Sequence, residues 1–171
     1  SELYDIKLET DKFNYDCIIA IGGGSVLDIG KCLAAFKNLK VDSYIQLKQG
    51  IINKEYQNYI INTPIIAVPT TAGTGSEVTC WATVWDKKNN KKYSVEDKRT
   101  YPRMAIIEPI LTISLPIKLT ASTALDALSH ALEAYWSKKT NPIVRMYALK
   151  SIESIMQNLN NLLDDLSDLN L

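Results

Sequence analysis

The sequence lacks net charge and long apolar runs. Nineteen basic and nineteen acidic side chains cancel over its 171 residues, and its densest basic cluster is the group of lysines between residues 87 and 92. A phosphate backbone is bound by a strongly basic surface, so we expect no nucleic-acid partner. No segment reaches the ~20 apolar residues of a membrane span, and the first residues do not look like a signal peptide. We therefore expect no membrane partner.

Cysteine is also scarce. Cys17, Cys32 and Cys80 are odd in number and show no CxxC spacing, unlike the paired cysteines of secreted disulfide scaffolds. A reducing compartment fits them best, and we expect a cytoplasmic protein.

What is present is an ordinary globular composition, with 46% hydrophobic and 22% charged residues. This composition excludes disordered and collagen-like chains. The length allows one domain, or one domain with part of another. Because the chain starts with Ser and ends on a polar stretch, we expect it to be a piece of a longer polypeptide.

Two apolar runs end in small residues. Cys17–Ile21 stops at the glycines 22–24, and the stretch Val26–Phe36 that follows is compatible with a helix. Ile65–Val68 is followed by a loop of hydroxyl and glycine residues, 70–76. Short apolar runs that stop at turns are typical of parallel strands buried on both faces.

The rest of the chain changes from strand to helix patterns. Val78–Trp85 and Lys92–Val95 flank a turn-forming segment and predict a hairpin, and Met104–Ile107 predicts a third short strand. From Thr120 the apolar spacing is helical, with two candidate helices.

The two helices have candidate starts. Thr120 and Ser122 are candidate N-caps of the first, and Asn141 with Pro142 opens the second. We therefore expect an α/β domain over residues 1–118 and the start of an all-helical domain over residues 119–171.

The glycine loop Gly22–Ser25 is a candidate anion site. Between a strand and a helix it would direct several backbone N–H groups, and the positive end of the helix, at one point. It departs from the GxGxxG fingerprint at Leu27, and from the Walker loop at Ser25 and Cys32. From spacing alone, a phosphate site and a plain turn stay equally open.

The hydroxyl loop Thr70–Ser76 is the second candidate. It follows another strand, and open α/β sheets bind ligands at the carboxyl ends of their strands. A flexible surface loop is the alternative. We predict that this loop and Gly22–Ser25 lie side by side at one sheet edge and share one ligand.

Asp126 and His130 stand four residues apart on the first predicted helix. Side chains at this spacing diverge by roughly 40° and can reach one ion. They are therefore a candidate half-site for a metal, although a lone histidine on an amphipathic helix is also compatible with ordinary packing or exposure.

Together these segments resemble the iron-containing alcohol dehydrogenase family, a metal-dependent group related to glycerol dehydrogenase and dehydroquinate synthase. Residues 22–31, GGGSVLDIGK, are similar to its GGGSxxDxxK element. Residues 69–78, PTTAGTGSEV, are similar to its PTTAGTGSE element, and residues 126–135 resemble its metal-binding helix. The resemblance covers nearly the whole chain.

The resemblance implies the fold class and the cofactor. The fold would be α/β, a parallel-sheet dinucleotide-binding domain of the dehydroquinate synthase type followed by the start of an all-helical, metal-binding domain. NAD or NADP would be bound by the glycine loop, the hydroxyl loop and the predicted hairpin. The implied cofactor residues are Gly22, Gly23, Gly24, Ser25, Asp28, Thr70, Thr71, Thr74, Gly75, Ser76 and Lys92.

The resemblance also implies the reaction. Asp126 and His130 would be two of four ligands of a divalent ion, usually Fe²⁺ and sometimes Zn²⁺, that polarises the substrate oxygen. Hydride would pass between NAD(P) and a small alcohol or aldehyde, so no side chain is named as catalytic. The full-length enzyme would be a homodimer.

Two departures keep an alternative open. The family has two further histidine ligands downstream, whereas this chain has one histidine. The family also has an additional N-terminal α/β segment, which we do not find in this sequence. A noncatalytic nucleotide-binding module that has lost the metal centre is therefore the second hypothesis. Residues 78–86 look most like the branch linked to phosphonate metabolism, for which phosphonoacetaldehyde is a possible substrate.

Overall fold

The structure is a computed structural model that describes residues 2–61 and 63–168. The chain divides into two compact units, Ser1–Pro69 with Ser76–Ile107, and Thr70–Gly75 with Glu108–Leu171. Residues 1, 62 and 169–171 of the two expected domains lie outside the described residues. The expected domain boundary after residue 118 stays a prediction.

The first unit contains both strands and helices, and the second contains helices. The elements of the first unit are α1 (Glu2–Thr10), β1 (Ile18–Gly22), α2 (Gly24–Phe36), α3 (Tyr44–Ile52), β2 (Ile65–Pro69), β3 (Trp81–Asp86), β4 (Lys91–Glu96) and β5 (Met104–Ala105). The second unit contains α4 (Ile117–Trp136) and α5 (Pro142–Asp164). Across residues 2–61 and 63–168, no helix is both long enough and apolar enough to cross a membrane.

A parallel sheet positions the glycine loop. Its strands have the order β1-β2-β5, and both pairs are parallel. In the β1–β2 register Ile18 lies opposite Ile65, and Gly22 lies opposite Pro69. The two strands therefore end side by side at the same edge of the sheet, where the glycine loop begins. The predicted fold class is confirmed.

The predicted hairpin is confirmed, although it starts later than expected. β3 and β4 pair antiparallel, and β3 begins at Trp81 because Ser76–Val78 form a 3₁₀ turn. The Asp86 carboxylate accepts hydrogen bonds from Lys48 Nζ at 2.8 Å and Asn89 Nδ2 at 2.7 Å. These bonds hold the pKa of Asp86 below its usual value, and they join the turn to α3.

The close packing of α2 on β1 depends on Gly30. Residues Gly30–Phe36 of α2 are all buried. A Cβ atom added at Gly30 would lie 3.0 Å from Ala20 Cβ on β1, closer than side chains normally approach. This glycine therefore lets the helix approach the strand that carries the glycine loop.

We expect Gly30→Ala to be at least ~1 kcal/mol less stable than the matched variant Gly50→Ala, because overpacking costs ~1–3 kcal/mol. At Gly50 the added Cβ meets only the ends of two side chains, Leu39 at 3.1 Å and Glu55 at 3.7 Å. Gly→Ala within a helix gains up to ~1 kcal/mol. Urea unfolding followed by tryptophan fluorescence measures both. Equal stabilities would show that β1 moves to accept the methyl group.

Of the two predicted helix starts in the second unit, the first is wrong and the second is confirmed. The predicted N-caps Thr120 and Ser122 are wrong: α4 begins at Ile117 with Pro116 at the N-cap. Proline fixes a φ angle that suits a helix start, and the hydroxyl of Ser122 donates to the Leu119 carbonyl within the helix. The start of α5 is confirmed, since the Asn141 side chain caps it.

Candidate functional site

The glycine loop has the geometry of an anion site. Gly23 is the N-cap of α2, with φ −71° and ψ 178°, and no side chain caps this end. The helical hydrogen bonds begin at Val26 N, which donates to the Gly23 carbonyl at 2.9 Å. The amides of Gly24 and Ser25 precede that first bond, so they have no acceptor within the helix. A bound phosphate would accept from them and face the positive end of the helix dipole.

Glycine is required at position 22 because the backbone there lies close to the Val26 side chain. A Cβ atom added there would lie 2.7 Å from Val26 Cβ. The chain can therefore turn from β1 into α2 within so few residues only if position 22 has no side chain.

The hydroxyl loop needs two glycines. In the second unit, a Cβ atom on Gly73 would lie 2.6 Å from the carbonyl oxygen of Thr123 on α4. Gly75 has φ +63°, a left-handed conformation that favours glycine. Thr70 and Thr71 are half-buried in this loop, and Thr74 is exposed. That these threonines contact a cofactor stays a prediction.

Asp28 and Ser76 are brought together in the first unit. Asp28 Oδ1 accepts from Ser76 Oγ at 2.7 Å, and Oδ2 accepts from the Thr83 backbone N–H at 2.9 Å. The predicted cofactor residue Asp28 therefore already contacts the end of the hydroxyl loop.

Sequence reasoning missed Lys31, whose Nζ donates to Ser76 Oγ at 2.8 Å. Burial lowers the pKa of Lys31, and the nearby Asp28 carboxylate opposes that shift. A signal was present: Lys31 is the lysine of the GGGSxxDxxK element, and it lies in the otherwise apolar stretch 30–36.

Lys92 lies on the exposed side of the hairpin. It pairs across the strands with Trp85, and its Nζ is 4.8 Å from the centroid of that ring. This cation–π contact orients the side chain, because the ring face attracts the ammonium. The predicted contact of Lys92 with the cofactor stays a prediction.

Asp126 and His130 form a half-site on α4. Asp126 Oδ1 and His130 Nε2 are 3.9 Å apart, and about half of each side chain is exposed. A carboxylate oxygen and an imidazole nitrogen are donors that suit iron and zinc. Among the residues that the structure describes, no three His, Cys, Asp or Glu side chains are grouped to hold an ion. The pair fits as two ligands and no more.

An open parallel sheet with a glycine-rich turn into a helix at its carboxyl edge defines a dinucleotide-binding α/β protein. The particular family follows from comparison with known proteins. The family described as "Iron-containing alcohol dehydrogenase" matches residues 3–109. Residues 120–171 match "Fe-containing alcohol dehydrogenase family, C-terminal". The chain belongs to the iron-containing alcohol dehydrogenase family.

Individual relatives agree with this assignment. The chain is 38% identical over 152 residues to an aldehyde-alcohol dehydrogenase of Streptococcus pneumoniae, a match of 86% of this chain and 17% of that protein. It superposes on NADH-dependent butanol dehydrogenase A of Thermotoga maritima with a TM-score of 0.82 and 30% identity, covering 98% of this chain and 40% of the other.

A further solved structure contains the cofactor. Sulfoacetaldehyde reductase of Bifidobacterium kashiwanohense in complex with NAD⁺ matches with a TM-score of 0.83 and 34% identity, over 96% of this chain and 42% of that one. The chain thus spans less than half of the length of each of these relatives.

Proposed function

We propose that this chain binds NAD(P) and part of the metal centre of an oxidoreductase that transfers hydride between the cofactor and a small alcohol or aldehyde. The observation that carries the proposal is the uncapped glycine turn at the start of α2, at the carboxyl edge of the parallel sheet. Family membership supports the same chemistry.

Each candidate residue then has a role. The amides of residues 23–25 would bind the pyrophosphate, the hydroxyl loop would line the dinucleotide, and Lys92 would contact the nicotinamide ribose. Asp126 and His130 would hold Fe²⁺ or Zn²⁺, which supplies Lewis-acid polarisation of the substrate oxygen when bound.

The remaining parts of the proposal concern the whole protein. We propose a longer, homodimeric, cytoplasmic enzyme. Its greater length is supported by the partial coverage of the relatives, and a reducing compartment is supported by three unpaired cysteines. Phosphonoacetaldehyde is a candidate substrate, because sulfoacetaldehyde, named for one similar enzyme, is also a small aldehyde with an anionic group.

The second candidate function is a noncatalytic nucleotide-binding module. The observation that favours it is the single histidine, which leaves the metal half-site without further imidazole donors from this chain. The two candidates differ in whether a bound metal produces turnover.

The test is to titrate the complete protein with NADH and then to assay NAD reduction with a panel of small alcohols, with and without added Fe²⁺ or Zn²⁺. We expect saturable NADH binding without metal, and turnover only with metal. Binding without turnover on any substrate would favour the noncatalytic module. Absence of NADH binding would overturn both candidates.

A further inference from the structure

Lys31 is a fully buried cation, and all three N–H donors of its ammonium group have acceptors. Its side chain has no exposed surface. Its Nζ donates to Ser76 Oγ at 2.8 Å, to Thr79 Oγ1 at 3.1 Å and to the Trp81 carbonyl at 2.8 Å. An ammonium group has three donors, and here each has an acceptor from the segment that leads from the hydroxyl loop into β3.

Asp28 completes the cluster from one turn earlier on α2. Its Oδ1 accepts from Ser76 Oγ at 2.7 Å and is 4.0 Å from Lys31 Nζ. The Ser76 hydroxyl therefore accepts a hydrogen bond from Lys31 and donates one to Asp28. This arrangement fixes the Ser76 side chain with respect to two residues of the same helix.

Burying a charged amine costs free energy, and an apolar residue of similar length would pack here without that cost. The neighbours of Lys31 on α2, such as Cys32 and Leu33, are buried and apolar. The lysine is thus better explained by what it holds than by packing. It holds Ser76, the residue next to Gly75, on the helix whose first turn carries the candidate phosphate site.

We propose that Lys31 is a positioning residue for cofactor binding: through Ser76 it fixes the end of the hydroxyl loop to α2. On this view Asp28 also acts through Ser76, because its Oδ1 accepts from the Ser76 hydroxyl while its Oδ2 is held by the Thr83 backbone N–H. The inference rests on the proposed function, because it concerns the same NAD(P) site.

The test is Lys31→Met in the complete protein. Methionine keeps a long apolar side chain and removes all three donors, so Ser76 loses a charged hydrogen bond of the stronger kind. We expect the Kd for NADH and the KM for NAD to rise about tenfold or more, while kcat at saturating NAD falls less than about threefold. A purely structural role would instead lower the active fraction, and with it kcat, at unchanged KM.

Lys48→Met is the matched control. Lys48 is another ion-paired lysine of the first unit, and it contacts Asp86 in the hairpin turn. We expect this variant to lose thermal stability with the KM for NAD unchanged. If Lys31→Met does not fold, Ser76→Ala removes the hydroxyl that Lys31 and Asp28 both bind, and it should raise the KM for NAD in the same way.

The outcomes distinguish failure of the positioning role from failure of the proposed function. A wild-type protein that binds NADH, with Lys31→Met or Ser76→Ala binding equally tightly, would overturn the positioning role alone. A wild-type protein that does not bind NADH would overturn the proposed function together with this inference.

Discussion

Replacing Gly23 by aspartate is expected to abolish NADH binding and leave the protein folded. The new carboxylate would stand at the N-cap of α2, where it can accept the hydrogen bonds of the first-turn amides. It would thereby fill the site proposed for the pyrophosphate and repel that group by its charge. We expect the Kd for NADH to rise about 100-fold or more, the scale of losing several charge-assisted hydrogen bonds.

The fold should persist for a local reason. Gly23 has φ −71° and ψ 178°, an extended conformation that any residue adopts. Aspartate is also among the preferred N-cap residues, and its negative charge is favourable at a helix N-terminus. The thermal midpoint should therefore be unchanged or raised, which distinguishes loss of the site from loss of the structure.

Gly23→Asn is the matched control, since asparagine has the shape and capping ability of aspartate without its charge. We expect it to bind NADH less tightly than the wild type but more tightly than Gly23→Asp. NADH fluorescence titration of the complete protein measures all three. If Gly23→Asp bound NADH as tightly as the wild type, the glycine loop would be only a turn.

The sheet and its loops could be predicted because they depend on short-range patterns. The run at 18–21 is apolar and stops at glycine, and the run at 65–68 stops at Pro69. Buried parallel strands and tight turns require such patterns, so the parallel pairing of these two strands could be expected once an α/β fold was assumed. Gly22 could likewise be singled out, and its contact with Val26 now explains why it has no side chain.

The helix α1 was missed because a buried lysine disrupts its apolar pattern. Only Leu3 and Lys7 of this helix are buried, and Lys7 is ion-paired with Asp11 at 2.7 Å. α3 was missed because it has only nine residues, which is shorter than the length at which helical periodicity becomes distinctive.

Like Lys7 in α1, Lys31 was not recognised as a buried residue. A lysine in a sequence is expected to be exposed, since lysine is almost never fully buried unless paired. Its partners Ser76, Thr79 and Trp81 lie 45 to 50 residues away in sequence. Only the fold brings them to α2, so the local sequence could mark Lys31 as unusual but could not identify its partners.

The incomplete metal site is expected to leave the isolated chain without catalytic activity. Asp126 and His130 supply one oxygen and one nitrogen, whereas stable iron or zinc sites usually have more protein ligands. Two ligands leave most coordination positions to water, so an ion should bind this chain weakly. We therefore expect the isolated 171 residues to show no alcohol-dependent NAD reduction, even with added Fe²⁺ or Zn²⁺.

In the complete enzyme, His130→Ala should lower kcat/KM for the alcohol by ~1,000-fold or more, because loss of the Lewis acid removes several kcal/mol of transition-state stabilisation. The Kd for NADH should change little, since the histidine is proposed to bind the metal and not the cofactor. Glu133→Gln, an exposed change on the same helix, is the matched control and should keep both activity and metal content. Metal analysis of the purified variants ties any loss of rate to loss of the ion. Turnover by the isolated chain at a rate near that of the complete enzyme would contradict the two-ligand interpretation, because the active site would then have to be built from other residues.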